Sequence, residues 1–151
     1  MSAPDSSVPA VEKPRLGSYR LVEPLGSGGM SSVFRAIHSE TGHEVAIKIL
    51  PRSLAENQLL LQRFISEARH AERLQHPNIV ELYDLGFDKH RPYLILEYVA
   101  GGDLHSRVRK SGPLSITEAV NAILSVARGL EFAWRHGIIH RDIKPANLLV
   151  T

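Results

Sequence analysis

The sequence predicts an α+β fold in two unequal parts: a five-stranded antiparallel sheet with one helix, then the incomplete opening of a mainly helical second part. Three observations carry this. Short apolar runs of period two, separated by turn residues, fill most of residues 19–99. One stretch inside them, about residues 57–74, changes to spacings of three and four. After Gly101-Gly102 the helical period takes over.

The first residues, MSAPDSSVPAVEKPR, are rich in Pro, Ser and Ala and lack periodicity, so a disordered leader is expected over 1–17. It has no apolar run of signal-peptide length. Residues 19–25 alternate weakly and lead through a Gly-rich turn into a second strand at 33–38. The turn Ser39-Glu40-Thr41-Gly42 separates that strand from EVAIKI at 44–49, which alternates well. Strands joined by such short turns pair antiparallel. Leu60, Phe64, Ala68, Ala71 and Leu74 then recur on one face of a helix that His76-Pro77 ends. Two further strands are expected at 80–87 and 93–99; the second, YLILEYV, is apolar enough to be buried on both faces. Asp103 can cap a short helix to Arg109. Ser115 opens a long helix with Glu118 at the capping-box position. Ile116, Ala119, Ile123, Val126, Leu130 and Trp134 run down its apolar face, and Gly137 ends it. IIHRDIKPAN is a loop before a strand start at 148–150.

Composition narrows the function. The 151 residues are 43% hydrophobic, enough for one core. Lys and Arg (18) and Asp and Glu (16) nearly balance and are spread along the chain, which argues for a solvated surface and against a nucleic-acid partner. The absence of cysteine excludes disulfides and cysteine zinc sites and is compatible with a cytoplasmic location. No apolar stretch reaches the length of a membrane span.

Three motifs carry chemistry. Leu25-Gly26-Ser27-Gly28-Gly29-Met30-Ser31-Ser32-Val33 is a Gly-rich turn between strands, where missing Cβ atoms let backbone N–H groups approach phosphate oxygens. Such turns are also common structural devices. A dinucleotide loop would open a helix and a P-loop needs Gly-Lys-Ser/Thr; neither holds here. In Val45-Ala46-Ile47-Lys48 an ammonium beside a buried strand face calls for an anionic partner. ATP phosphates or a carboxylate of the following helix would serve. Glu67 beside Phe64 and Ala68 fits best, with Glu56 and Glu72 as rivals. The third motif is His140-Arg141-Asp142-Ile143-Lys144-Pro145-Ala146-Asn147. Asp142 can accept a proton from, or orient, an attacking hydroxyl. Asn147 offers an amide oxygen of the hard kind that Mg²⁺ prefers. Lys144 can neutralise a phosphoryl group in flight.

Together these residues resemble the eukaryotic-like (Hanks-type) serine/threonine protein kinases, closest to the bacterial signalling branch, over about residues 19–150. The resemblance implies a kinase-like N-lobe with hinge over 18–99 and the start of a C-lobe over 100–151. It implies that residues 26–33 cover the ATP phosphates and that Lys48, paired with Glu67, holds the α- and β-phosphates. Asp142 becomes the catalytic base and Asn147 the ligand of one Mg²⁺. Adenine would lie between Leu25, Val33 and Ala46 above and Leu149 below, bonding to the backbone of Glu97 and Val99. Leu96 matches the gatekeeper; Ala71, Leu82 and His140 match members of the spine; Asp103 would meet ribose or substrate. Lys144-Pro145 favours serine/threonine specificity, so the partners implied are ATP and a protein with a Ser or Thr acceptor.

No Asp-Phe-Gly, activation segment or Ala-Pro-Glu is present. The sequence is therefore expected to be a fragment, inactive and only partly stable alone, of a protein that could be membrane-anchored further on. Two other classes compete with the kinase reading: a non-catalytic, pseudokinase-like nucleotide-binding module, and a small-molecule phosphotransferase of related fold.

Overall fold

The computed structural model of the protein describes residues 14–28, 31–89 and 91–151, without the side chains of Ser27, Arg52, Leu54 and Glu67. The expected leader over residues 1–13 and the Gly29-Met30 tip lie outside the described residues.

The sheet has six strands, not five, in the order β1-β2-β3-β4-β6-β5, with every neighbouring pair antiparallel. They are β1 (Arg15–Leu16), β2 (Tyr19–Gly28), β3 (Ser31–His38), β4 (Glu44–Ile49), β5 (Leu82–Asp88) and β6 (Arg91–Glu97). The additional strand lies inside the expected leader: Arg15 and Leu16 pair with Arg20 and Tyr19, and Leu16 is buried in the core. Two residues are too few for a period to register. A four-residue helix, α1 (Arg52–Ala55), was likewise too short to foresee.

One face of the sheet is closed. Leu16, Leu21, Ala36, Val45, Ile47, Ile49, Tyr93 and Ile95 form its core, with Tyr19 and Phe34 packed at the margin. Gly86 lies directly against the Tyr93 ring, where a Cβ would collide with the aromatic carbons. The other face is partly open, so β6 is not buried on both sides as expected: Tyr93 and Ile95 are buried, Leu94 and Leu96 only half-buried. Cross-strand register arranges this second face in two rows. Gly26, Val33, Lys48, Leu94 and Leu85 form one; Glu23, Arg35, Ala46, Leu96 and Leu82 form the other.

Helix α2 (Gln58–Ala71) starts at Asn57, whose side-chain oxygen accepts from the N–H groups of Leu59 and Leu60, both at 3.1 Å. Ala68 is buried, Phe64 and Ala71 are half-buried, and Leu60 is exposed. Helix α3 (Leu104–Ser111) runs two residues beyond Arg109 and stops at Gly112, which sits at φ 85°. Helix α4 (Ile116–Arg135) carries the capping box at Ser115 and Glu118. It docks on the segment after α2: an added Cβ on Gly129 would stand 2.8 Å from the Asn78 carbonyl oxygen, and the Phe132 and His76 rings are 5.0 Å apart. Its apolar stripe is only partly covered. Ala119, Val126 and Leu130 are half-buried, while Ile116, Ile123 and Trp134 are exposed. The expected strand over 148–150 is reduced to one bridge, Asp103 with Leu149, flanked by Leu104 N–H to Leu148 O (2.8 Å) and Val150 N–H to Gly102 O (2.9 Å). Gly101 packs against the Val150 backbone so closely that no Cβ fits.

Candidate functional site

The loop after α4 is organised around Asp142. Lys144 Nζ lies 2.9 Å from its Oδ2. Asn147 Nδ2 donates to the same oxygen at 3.0 Å and to the Asp142 backbone carbonyl at 2.8 Å. The short turn Pro145–Asn147, closed by Asn147 N–H to Lys144 O at 2.8 Å, brings the amide back five residues. The Asp142 N–H points at His140 Nδ1, 3.3 Å away. Arg141 sits at φ 61°, a left-handed conformation that disfavours a side chain with a Cβ and turns the loop toward Asp142. The Lys144 ammonium, and then the Asn147 amide, hold the Asp142 carboxyl below its ordinary value. Both donors converge on Oδ2, and among the described residues Oδ1 accepts no hydrogen bond. The group is thus an exposed carboxylate with one oxygen fixed and one presented.

Asn147 spends both hydrogen bonds of its nitrogen on Asp142, so its amide oxygen faces away as a hard ligand. No group of three or more His, Cys, Asp or Glu side chains able to hold a metal occurs among the described residues. That donor set fits Mg²⁺, which takes few protein oxygens and completes its shell with phosphate oxygens and water.

Lys48 lies in the middle of β4, half-buried, between Val33 of β3 and Leu94 of β6 on the partly open sheet face. Ala46, two residues earlier, is buried on that face. The Gly-rich hairpin is a close one: Gly28 pairs with Ser31, Ser27 with Ser32 and Gly26 with Val33. A register shift between Pro24 and Gly26 leaves Leu25 out of the ladder and exposed. The Glu67 backbone belongs to α2, beside buried Ala68; its side chain, and with it the Lys48–Glu67 pair, lies outside the described residues.

Glu97 closes β6; its N–H donates to Glu81 O at 2.9 Å and its carboxylate accepts from Glu81 N–H at 3.2 Å. Glu97, Val99 and Leu149 line one cavity of about 710 Å³ together with His140, Ile143 and Asn147. This cavity also runs under the half-buried stripe of α4 at Val126 and Leu130, so it is wider than a nucleotide site alone. Val33, Ala46 and Lys48 are not in its lining; they belong to the sheet face. Asp103 caps α3: its two oxygens accept from the N–H (2.8 Å) and hydroxyl (2.7 Å) of Ser106, which lowers its pKa. A groove of about 380 Å³ along α2, at Gln62, Ser66 and Arg73, lies apart from these residues.

One residue at this face was not foreseen. Arg35 pairs with Glu23 (2.7 Å) and Glu44 (2.5 Å), and its guanidinium carbon lies 5.8 Å from the centroid of the Tyr98 ring. The available signal was a lone cation within the apolar strand VFRAI, at the position sharing a face with Val33.

Residues 19–151 match the model of the family described as protein kinase domain. The chain is 40% identical over 134 residues to the serine/threonine-protein kinase PrkC of Bacillus subtilis, covering 89% of this chain and 21% of that protein. It is 40% identical over 137 residues to the serine/threonine-protein kinase PknB of Mycolicibacterium smegmatis, covering 88% and 22%. It therefore spans about a fifth of the length of these curated relatives. Among solved structures, the kinase domain of Mycobacterium tuberculosis PknI superimposes with a TM-score of 0.79 at 29% identity, over 94% of this chain and 58% of that one.

Proposed function

The chain belongs to the protein kinase domain family, among relatives named serine/threonine kinases, and from that premise we propose that it carries the nucleotide-holding and hydroxyl-orienting part of an ATP-dependent protein serine/threonine kinase. Residues 18–99 form the N-lobe with its hinge, and residues 100–151 begin the C-lobe. The observation that carries the reading is the Asp142 carboxylate, with Oδ2 fixed by Lys144 and Asn147 and Oδ1 presented outward.

In the proposed mechanism the Gly26–Val33 turn, with Ser27, Gly28, Gly29, Met30, Ser31 and Ser32, covers the triphosphate of ATP through backbone N–H groups. Lys48, oriented by Glu67, grips the α- and β-phosphates. The base lies against Leu25, Val33 and Ala46 on one side and Leu149 on the other, with its edge on the backbone of Glu97 and Val99. Asp103 stands near the ribose while capping α3. Asp142 Oδ1 accepts the hydrogen bond, and then the proton, of a protein Ser or Thr hydroxyl, while Lys144 balances charge on the moving phosphoryl group. The Asn147 amide oxygen would hold Mg²⁺ in part, and the bound ion would supply charge neutralisation for the phosphates. The depressed carboxyl pKa keeps the group ionised and able to orient a hydroxyl through the neutral range but makes it a weak base. Orientation is therefore its main contribution, and the proton moves only as the phosphoryl group is transferred. A cytoplasmic site of action suits an ATP-dependent enzyme, and no helix among the described residues is long and apolar enough to cross a membrane.

The test is Asp142→Asn in the complete protein, with ATP binding and peptide phosphorylation measured side by side. The expected result is a loss of turnover of about 10²–10⁴-fold with ATP affinity nearly unchanged. Equal losses in both would make Asp142 a structural residue. The pseudokinase-like alternative is less well supported, since Lys48, Asp142 and Asn147 are all retained.

A further inference from the structure

Arg35 makes ion pairs to two different strands, which no other side chain among the described residues does. Its Nε donates to Glu23 Oε1 on β2 at 2.7 Å and its terminal nitrogen to Glu44 Oε1 on β4 at 2.5 Å. Two carboxylates gripping one planar fork fix its orientation, and its side chain is only 23% exposed. The fixed guanidinium lies near the ring of Tyr98, 5.8 Å from guanidinium carbon to ring centroid, within the range of a cation–π contact.

Its position gives this contact a purpose. Arg35 and Leu96 flank Ala46 in the same cross-strand row, one row removed from Lys48. Tyr98 follows β6 directly, and its backbone separates Glu97 from Val99. Glu97 is held by Val45 on one side and by Glu81 on the other, whereas Tyr98 and Val99 have no strand partner among the described residues, so the chain leaves the sheet at Tyr98.

We propose that Arg35 is a positioning residue for the nucleotide base: clamped by Glu23 and Glu44, it holds Tyr98 and thereby the backbone groups of Glu97 and Val99 in register with the purine edge. This rests on the kinase reading above and adds to it a residue that touches neither base nor phosphate. Its effect therefore belongs to the base end of the nucleotide. A cation that instead reached the phosphates directly would matter more for ATP than for adenosine.

The experiment measures dissociation constants of adenosine, ADP and ATP for the complete protein. Arg35→Met, Arg35→Lys, Tyr98→Leu, the Arg35→Met/Tyr98→Leu double variant and Lys48→Met are compared at a temperature where melting curves show each folded. Arg35→Met and Tyr98→Leu are each expected to weaken all three ligands by a similar factor, about 2- to 5-fold. The double variant should be no weaker than either single one, and Arg35→Lys should recover part of the loss by restoring a cation over the ring. Lys48→Met, by contrast, should weaken ATP far more than adenosine. Unchanged affinities, additive losses, or a loss growing with phosphate number would overturn the assignment of Arg35 while leaving the kinase reading in place. A wild-type protein that binds none of the three would remove both. Should Arg35→Met not fold, Tyr98→Leu combined with Glu23→Gln provides the same comparison.

Discussion

At the scale of single residues, Asp142 shows how a short loop prepares a carboxylate. Lys144 and Asn147 share one oxygen, and the other remains for a partner. Because the Lys144 ammonium is the largest cause of the lowered pKa, Lys144→Met should move the Asp142 titration upward, toward the ordinary 3.8. The sign follows from linkage. A carboxyl depressed in the folded state favours folding above its unfolded value, and the contribution is lost as pH falls through the folded value. Carbon-13 NMR of the Asp142 carboxyl checks this, and an unchanged midpoint in Lys144→Met would remove Lys144 as the cause. Most of this site was legible: the identities and order of Asp142, Lys144 and Asn147 imply proximity in a loop. The left-handed Arg141 and the choice of Oδ2 over Oδ1 were not, because they depend on backbone angles that a residue string does not encode. Arg35 escaped for another reason. Its two carboxylates are 12 and 9 residues away on different strands, and only cross-strand register brings them together.

Individual elements are held by local rules that the sequence displays openly. The start of α4 is the clearest: Ser115 Oγ accepts from Glu118 N–H at 3.3 Å, and Glu118 accepts from Ser115 N–H at 2.9 Å. Ser115→Ala should cost about 1 kcal/mol, read from denaturant unfolding. Arg107 of α3 adds an ion pair at 2.9 Å, and the Arg107 contact, followed by the Ser115 bonds, pulls the Glu118 pKa from 4.5 to about 2. The stabilisation from this carboxylate is complete above about pH 4.5 and fades as pH falls toward 2. In Glu118→Gln that part of the acid sensitivity should vanish; an identical pH–stability slope in the two proteins would contradict the assignment. Strand ends were less predictable. The last strand stops at Glu97 rather than Val99, since Tyr98 and Val99 leave the ladder, and a propensity count does not sense the loss of a neighbouring strand. Strand β1 and helix α1 are too short for any period to appear.

The whole molecule depends on how the sheet and the helical part meet. Among the described residues α4 meets the segment between α2 and β5 where Gly129 approaches the Asn78 carbonyl and where the Phe132 and His76 rings lie 5.0 Å apart. Gly129→Ala places a Cβ 2.8 Å from a carbonyl oxygen that has no side-chain freedom, so the α4–loop contact must open. A destabilisation of about 1–3 kcal/mol is expected by thermal or chemical unfolding, as for other overpacked contacts. The α+β class, the antiparallel pairing and the order of the elements were all readable from period and turn chemistry. The meeting of the two parts was not, because a glycine that permits contact looks the same in sequence as one that ends a helix. The proposed function requires that Lys48 from the sheet and Lys144 from the loop reach one bound nucleotide. An acyl-phosphate derivative of ATP, which transfers its acyl group to lysines beside the terminal phosphates, tests this directly in the complete protein. Mass spectrometry should find Lys48 and Lys144 both acylated and both protected by ATP, with Lys13, Lys89 and Lys110 unprotected. Labelling that ATP blocks at only one of Lys48 and Lys144, or at neither, would contradict the account.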